Sequence, residues 1–178
     1  RGDRLYSTPD EFQAHLERAL ARTIKSAAIS NVQVQDAFEQ NAFDVRLDLA
    51  SQRYGQLMQQ RLLVFSPSVT EPPGPNLSHS LKRTAPIVLR GGVYRKQVRI
   101  QLPAGFTVDE MPAAASMQED FGHFSLTFRQ EAGELILEEE LKTEAVTLPA
   151  EQYRRVKKFF DQFDGADQQQ AVLVKSDS

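Results

Sequence analysis

Between Val93 and Pro112 the chain reads VYRKQVRIQLPAGFTVDEMP, and this stretch limits the fold more than any other. Val98, Ile100 and Leu102 alternate with Gln97, Arg99 and Gln101, the period-two pattern of a strand with one buried and one wetted face. Pro103-Ala104-Gly105 supplies a turn, with glycine free to take positive φ. Phe106 and Val108 then open a return strand, and Met111-Pro112 closes it. The stretch predicts a β-hairpin whose Arg95, Lys96 and Arg99 are ordinary outward charges.

The same period recurs on both sides. Val32 and Val34 alternate with polar neighbours, and Phe43, Val45, Leu47 and Leu49 alternate with Asp44, Arg46 and Asp48. Gln56 to Phe65 predicts one further strand, with Gly55 as a bend before it and the dense run Leu62-Leu63-Val64-Phe65 buried on both faces. Ile87-Val88-Leu89 returns to strand character before Gly91-Gly92 turns the chain. Phe124, Leu126 and Phe128, then Leu135-Ile136-Leu137 with Leu141, continue as a meander around a turn at Glu131–Glu134. Ala171-Val172-Leu173-Val174 predicts a final strand.

Two segments have the helical period. Ser7-Thr8-Pro9-Asp10-Glu11 is a helix start, with a hydroxyl cap, an early proline and acids near the positive end of the dipole. Phe12, Leu16, Leu20 and Ile24 form its apolar stripe, which predicts a helix over about 8–27 that packs on a sheet. Pro149 opens a second helix over about 149–163, with Tyr153, Val156, Phe160 and Phe163 on one face and Gly165 at its end. The fold class expected is mainly β (α+β): an antiparallel β-sandwich-like domain, or open barrel, with a helix near each end. One domain over 1–174 is expected, followed by a frayed tail at 175–178. Residues 66–86, with five prolines, predict a long extended surface loop and are where an internal boundary would fall.

Composition removes several function classes. The 178 residues contain no Cys, so the chain holds no disulfide and no thiolate nucleophile. A net charge of −3 gives no reason to expect nucleic acid or an anionic membrane as partner, and no apolar run approaches the roughly 20 residues of a membrane span. Nothing in the pattern asks for a cofactor or a metal. The start at Arg1 without Met suggests an excised piece of a longer chain.

No catalytic constellation emerges. His15, His79 and His123 are the available histidines: His15 on the first helix, His79 beside Ser78 in the proline-rich loop, His123 in an expected hairpin turn. Ser78-His79 could be drawn as a hydrolase site, but adjacency on a loop does not make a nucleophile–base geometry. Asp109-Glu110 and Glu119-Asp120 are acid pairs, yet neighbours on a strand point to opposite faces, so a solvated turn accounts for them better than a glycosidase pair. The acidic stretch Arg129–Glu144 and the basic side of the closing helix could attract each other, although solvated faces are the ordinary reading. Arg1-Gly2-Asp3 matches an integrin-recognition tripeptide by coincidence of a frayed end. No catalytic, cofactor-binding or metal-binding residue is assigned.

The succession VYRKQVRIQLPAGFTVDEMP, FGHFSLTF, GELILEEEL, LPAEQYRRVKKFFDQ and ADQQQAVLVK resembles the C-terminal, β-rich part of a family of bacterial exported proteins of unknown function. Those proteins carry a transglutaminase-like (papain-type) core, which relies on a Cys, a His and an Asp. The resemblance covers Val93 to Lys175 best and is looser from Phe12 to Phe65. It implies that this chain is a non-catalytic accessory module, periplasmic or extracellular, working with an upstream transglutaminase-like domain or another protein, and that Pro103, Gly105, Pro149 and Tyr153 are structural markers. Exposed strand edges could also pair two copies as a homodimer. Two alternatives remain at this level: a free-standing module that binds a peptide or glycan through residues 66–86, and a small hydrolase built on His79.

Overall fold

A computed structural model describes residues 8–24, 26–52, 54–71, 74–75, 77 and 83–176. The chain separates into two compact units, Arg1–Gln56 and Leu57–Ser178. The division therefore falls ahead of the proline-rich segment and not inside it. Antiparallel strands dominate, with one helix towards each end of the chain, as the periodicity predicts.

The first unit is a helix on a two-stranded ribbon. Helix α1 (Pro9–Leu20) opens on a complete capping box: Thr8 Oγ1 accepts from the Glu11 N–H, and the Glu11 carboxylate accepts from the Thr8 N–H at 2.8 Å. The Thr8 N–H and then the Thr8 hydroxyl, both donating to the Glu11 carboxylate, hold it below its usual range. The helix is shorter than the stripe suggests. After Leu20 the N–H groups of Thr23 and Ile24 both return to the Leu20 carbonyl, and Ser26 turns to a φ of 58°, which a right-handed helix excludes. Strands β1 (Ala28–Ala37) and β2 (Ala42–Ala50) then pair antiparallel, with a bulge between Ser30 and Gln33 where Asn31 has a φ of 52°. The Phe12 ring meets Phe43 edge-on at 6.5 Å, so α1 lies over the ribbon's apolar side.

The second unit contains two four-stranded antiparallel sheets. The first has the order β6 (Gly92–Gln101), β10 (Glu134–Thr143), β9 (Gly122–Glu131) and β8 (Ala115–Glu119). The second has the order β3 (Gln56–Met58), β4 (Leu62–Phe65), β12 (Ala171–Lys175) and β7 (Phe106–Glu110). A short pair, β5 (Ile87–Leu89) with β11 (Val146–Leu148), completes the strands. The single strand expected over Gln56–Phe65 is thus a hairpin, because Gln59 and Gln60 both take positive φ (51° and 56°) and reverse the chain. Ala171–Val174 does form a final strand, at the centre of its sheet. Lys175 belongs to it, and the Ser176 N–H bonds the Gly105 carbonyl, so the tail expected from 175 is tied down at its start.

The hairpin expected at Val93–Pro112 does not form. Its first strand, β6, pairs over ten residues with β10, and its second, β7, pairs with β12. The turn itself is present: Gly105 has a φ of 78° and the Phe106 N–H reaches the Pro103 carbonyl. Leu102 N–H continues the β6–β10 ladder by bonding Gly133, and the chain then steps to the other sheet. Local signals are the same for a hairpin and for a turn between sheets; what decides is which distant strand offers the longer apolar ladder.

The core lies where helix α2 (Tyr153–Asp167) covers the first sheet. Even-numbered residues of β9 and odd-numbered residues of β10 share the covered face, with Phe124 opposite Leu141 and Phe128 opposite Leu137. Phe159, fully buried, is the centre of an aromatic group, with ring centroids 5.3 Å from Phe121, 5.2 Å from Phe124 and 5.1 Å from Phe160. Ile87, Leu89 and Leu148 close one margin of this core. Pro149 starts not α2 itself but a single 3₁₀ turn at Ala150–Gln152. Gly165 does not end the helix. A glycine in a helix costs about 1 kcal/mol relative to alanine, whereas Ala166, one residue beyond, is buried and keeps the last turn docked.

The proline-rich segment, expected as a surface loop, folds back on this core where it is described. Pro67 and Ser68 are buried, Leu77 packs on the core, and the Arg83 guanidinium lies 5.5 Å from the Tyr153 ring centroid. Ser78, His79 and the Arg1-Gly2-Asp3 tripeptide lie outside the described residues.

Two substitutions test this arrangement. Phe159→Ala should lower the unfolding free energy by about 3–5 kcal/mol in urea titration. Gly122→Ala should cost about 1–3 kcal/mol, because an added Cβ would stand 2.4 Å from the Lys142 carbonyl oxygen.

Candidate functional site

The outer face of the first sheet is a charge ladder. Arg95 pairs with Glu140 at 2.6 Å, Arg99 with Glu134 at 2.6 Å, and Arg129 with Glu138 at 2.8 Å. The acidic stretch is therefore neutralised mainly by its neighbouring strands and not by α2. His123 belongs here too: it is the second residue of β9 and its Nε2 lies 2.9 Å from Glu140. His15 is exposed on α1 in the other unit. Such exposed pairs are screened by solvent and contribute little to stability.

Glu119 and Asp120 do converge, but on an arginine. At the β8–β9 turn strand alternation ends, so both carboxylates reach the Arg155 guanidinium of α2. Its Nε lies 2.8 Å from Glu119 and its Nη2 2.8 Å from Asp120, while its Nη2 also bonds Glu119. The same guanidinium sits 5.2 Å from the Phe121 ring centroid. The pair clamps the start of α2 to the sheet, a tighter role than the solvated turn expected. Asp109 and Glu110 end β7, apart from any such partner among the hydrogen bonds described.

The charges with unusual surroundings are Lys96, Glu139 and Asp167, whose side chains are 7%, 0% and 6% exposed. Lys96 and Glu139 are direct cross-strand partners on β6 and β10, and both face the α2 side of the sheet. Asp167 comes from the last turn of α2. The Lys96 ammonium lies 2.8 Å from Glu139 Oε2 and 2.7 Å from Asp167 Oδ1, and it donates to Ser68 Oγ at 2.7 Å and to the Thr70 carbonyl at 3.2 Å. Ser68 Oγ in turn donates to Thr70 O at 3.1 Å. One ammonium therefore joins sheet, helix and the segment after β4. Lys96 is the reverse of the outward charge predicted for it.

Electrostatics follow from this burial. Burial alone would lower the Lys96 ammonium, but Glu139 and Asp167 outweigh it and hold it above the ordinary lysine range. Burial first, and then the adjacent Asp167 carboxyl, push Glu139 up to about 7 against the pull of Lys96. Burial also raises the neighbouring Tyr94 phenol. The cluster has proton-active groups, and their side chains are almost fully buried. A separate shallow hollow of about 590 Å³ lies between β8 and the end of α2, lined by Ala114–Ser116, Gln162, Gly165 and Gln169 among others, and none of its lining residues is titratable. Among the described residues no group of three or more His, Asp or Glu could hold a metal ion, and no helix is long and apolar enough to cross a membrane.

Removing one partner of a buried ionic cluster strands the others without compensation. Lys96→Met should therefore cost about 3–5 kcal/mol in chemical denaturation. Adding Glu139→Leu and Asp167→Leu to that variant should recover most of the loss.

The structure can now be set beside known proteins. A crystal structure from Parabacteroides distasonis, of a protein provisionally described as a protease, is similar to this chain with a TM-score of 0.51 and 9% sequence identity. The similarity covers 66% of this chain and 24% of that one, so the chain spans about a quarter of that structure's length and shares its fold there. No curated protein gives a match. Residues 60–173, which hold the first sheet, β4, β7 and most of β12 from the second, α2 and the buried lysine cluster, match the family DUF3858, a domain of unknown function with a solved structure, and the chain belongs to that family.

Proposed function

We propose that the chain is a non-catalytic accessory module of a longer exported protein, supporting a transglutaminase-like core or carrying its contacts to another protein. The observation that supports this most is the closure of the Lys96–Glu139–Asp167 cluster. These groups would be the natural acid, base or cation of an active site, yet at 7%, 0% and 6% exposure they hold three chain segments together. A Cys nucleophile for such a core would have to come from outside this sequence, which has none. The provisional description of the P. distasonis protein as a protease, with this fold as one quarter of it, is consistent with a module attached to an enzyme.

The alternative of a peptide or glycan module reading its ligand through residues 66–86 has less support. The described part of that segment turns Pro67, Ser68 and Leu77 into the interior, leaving fewer side chains to present to a ligand.

The purified 178-residue chain should show no peptidase and no amide-transfer activity on casein and on glutamine-containing peptides. Mixed with the separately expressed remainder of its parent protein, it should co-elute and raise that partner's melting temperature. Turnover that follows the isolated chain through gel filtration would refute the proposal.

A further inference from the structure

We propose that Glu139 carries a proton shared with Asp167, and that this proton is a latch on the junction of sheet, helix and loop. With it the buried cluster is neutral and closed; without it, a second buried negative charge frees Ser66–Thr70 from Lys96.

An ammonium has three hydrogens, and those of Lys96 are directed to Ser68 Oγ, Thr70 O and Asp167 Oδ1 at 2.7, 3.2 and 2.7 Å. Glu139 Oε2 lies 2.8 Å from the same nitrogen, a fourth oxygen around three hydrogens. Neither Glu139 oxygen accepts a hydrogen bond, and the side chain is 0% exposed. A dry carboxylate whose one cation is already shared among three other acceptors is costly to hold ionised. The acid form resolves it, because its own O–H can be given to the Asp167 carboxyl beside it.

The charge balance agrees. One lysine faces two carboxyl groups, so the cluster is neutral only when one of them is protonated. Among the described residues Lys96 is the cation that acts on Glu139. Around Glu139, β6 contributes Lys96 and Tyr94, while β9 contributes the apolar Leu126. The described part of the segment after β4 brings the uncharged Ser68 and Thr70, and α2 brings Asp167 with Asp164 one turn before it. Asp164 is itself raised, by burial and then by Asp161 and Asp167, so this end of the helix is acid-rich.

The loop side is where the junction can open. Strands β6 and β10 are fixed by a ten-residue ladder and α2 by its aromatic face. By contrast, Ser68 and Thr70 reach the cluster through hydrogen bonds to one lysine, and Thr70 Oγ1 also lies 3.5 Å from the Tyr94 hydroxyl.

The sign of the pH effect follows. Glu139 moves from 4.5 to about 7 on folding, so the folded chain binds this proton more tightly than the unfolded one. Its contribution to stability is complete below about 4.5 and is lost as pH rises to about 7.

The test uses the whole chain. The Glu139 carboxyl carbon, assigned from its own backbone in a carbon-13 NMR titration, should show a midpoint near neutrality. Between pH 5 and pH 8 the unfolding constant of the wild type should rise at least about tenfold, and exchange of the Ser68–Glu71 amides, corrected for intrinsic rates, should accelerate. Glu139→Gln imitates the protonated side chain, so it should flatten both trends and be more stable than wild type at pH 8. A midpoint near the ordinary value for glutamate, or a Glu139→Gln variant with the wild-type pH dependence, would overturn the latch. The wild-type titration decides the matter even if that variant fails to fold.

Discussion

The second unit depends on one ammonium group placed where water is excluded. Lys96 cannot leave its site without stranding two carboxyl groups, and they cannot leave without stranding it. Because its partners come from β10, from the end of α2 and from the segment after β4, a single side chain sets the spacing of three elements. Such a junction supplies little net stability, since desolvation offsets most of the attraction between its charges. Its effect is on geometry: an apolar contact tolerates sliding, whereas three directed donors do not.

Around this point the apolar surface does the stabilising work. Phe159 touches aromatic neighbours on the sheet and on its own helix, and the edge-on contacts favour a single orientation of α2. Arg155 at the start of the helix and Asp167 at its end then engage groups on different strands. The helix is thus fixed at both ends by charge and along its length by aromatic rings. This explains why Gly165 in its last turn does not unwind it.

Much of this was legible in the sequence, and the failures share a cause. Period two located most of the strands, and Thr8-Pro9-Asp10-Glu11 marked where the first helix starts, though not where it ends. The buried cluster also left a signal. Lys96 has the parity of Val98 and Ile100, and Glu139 that of Leu135, Leu137 and Leu141, so two opposite charges sit at buried positions of their strands. Asp167 left none, since it follows a glycine that reads as a helix end. Nor did the Gln59-Gln60 reversal, which uses positive φ without glycine or asparagine. The step from β6 to β7 was the deepest error, because a turn's residues record that the chain bends and not whom the next strand will meet. Partner choice is settled at long range.

That step has a consequence for how the fold is reached. Strand β7 lies beside β6 in sequence, yet its partner β12 arrives some sixty residues later and is the central strand of its sheet. Until β12 is in place, β4 and β7 have no ladder between them. In the first sheet β8, β9 and β10 follow in immediate succession and can pair with small loop-closure cost. Folding should therefore be ordered in time, with the α2-covered sheet forming first and the other closing late, around the last strand, at the slower rate that contacts distant in sequence impose.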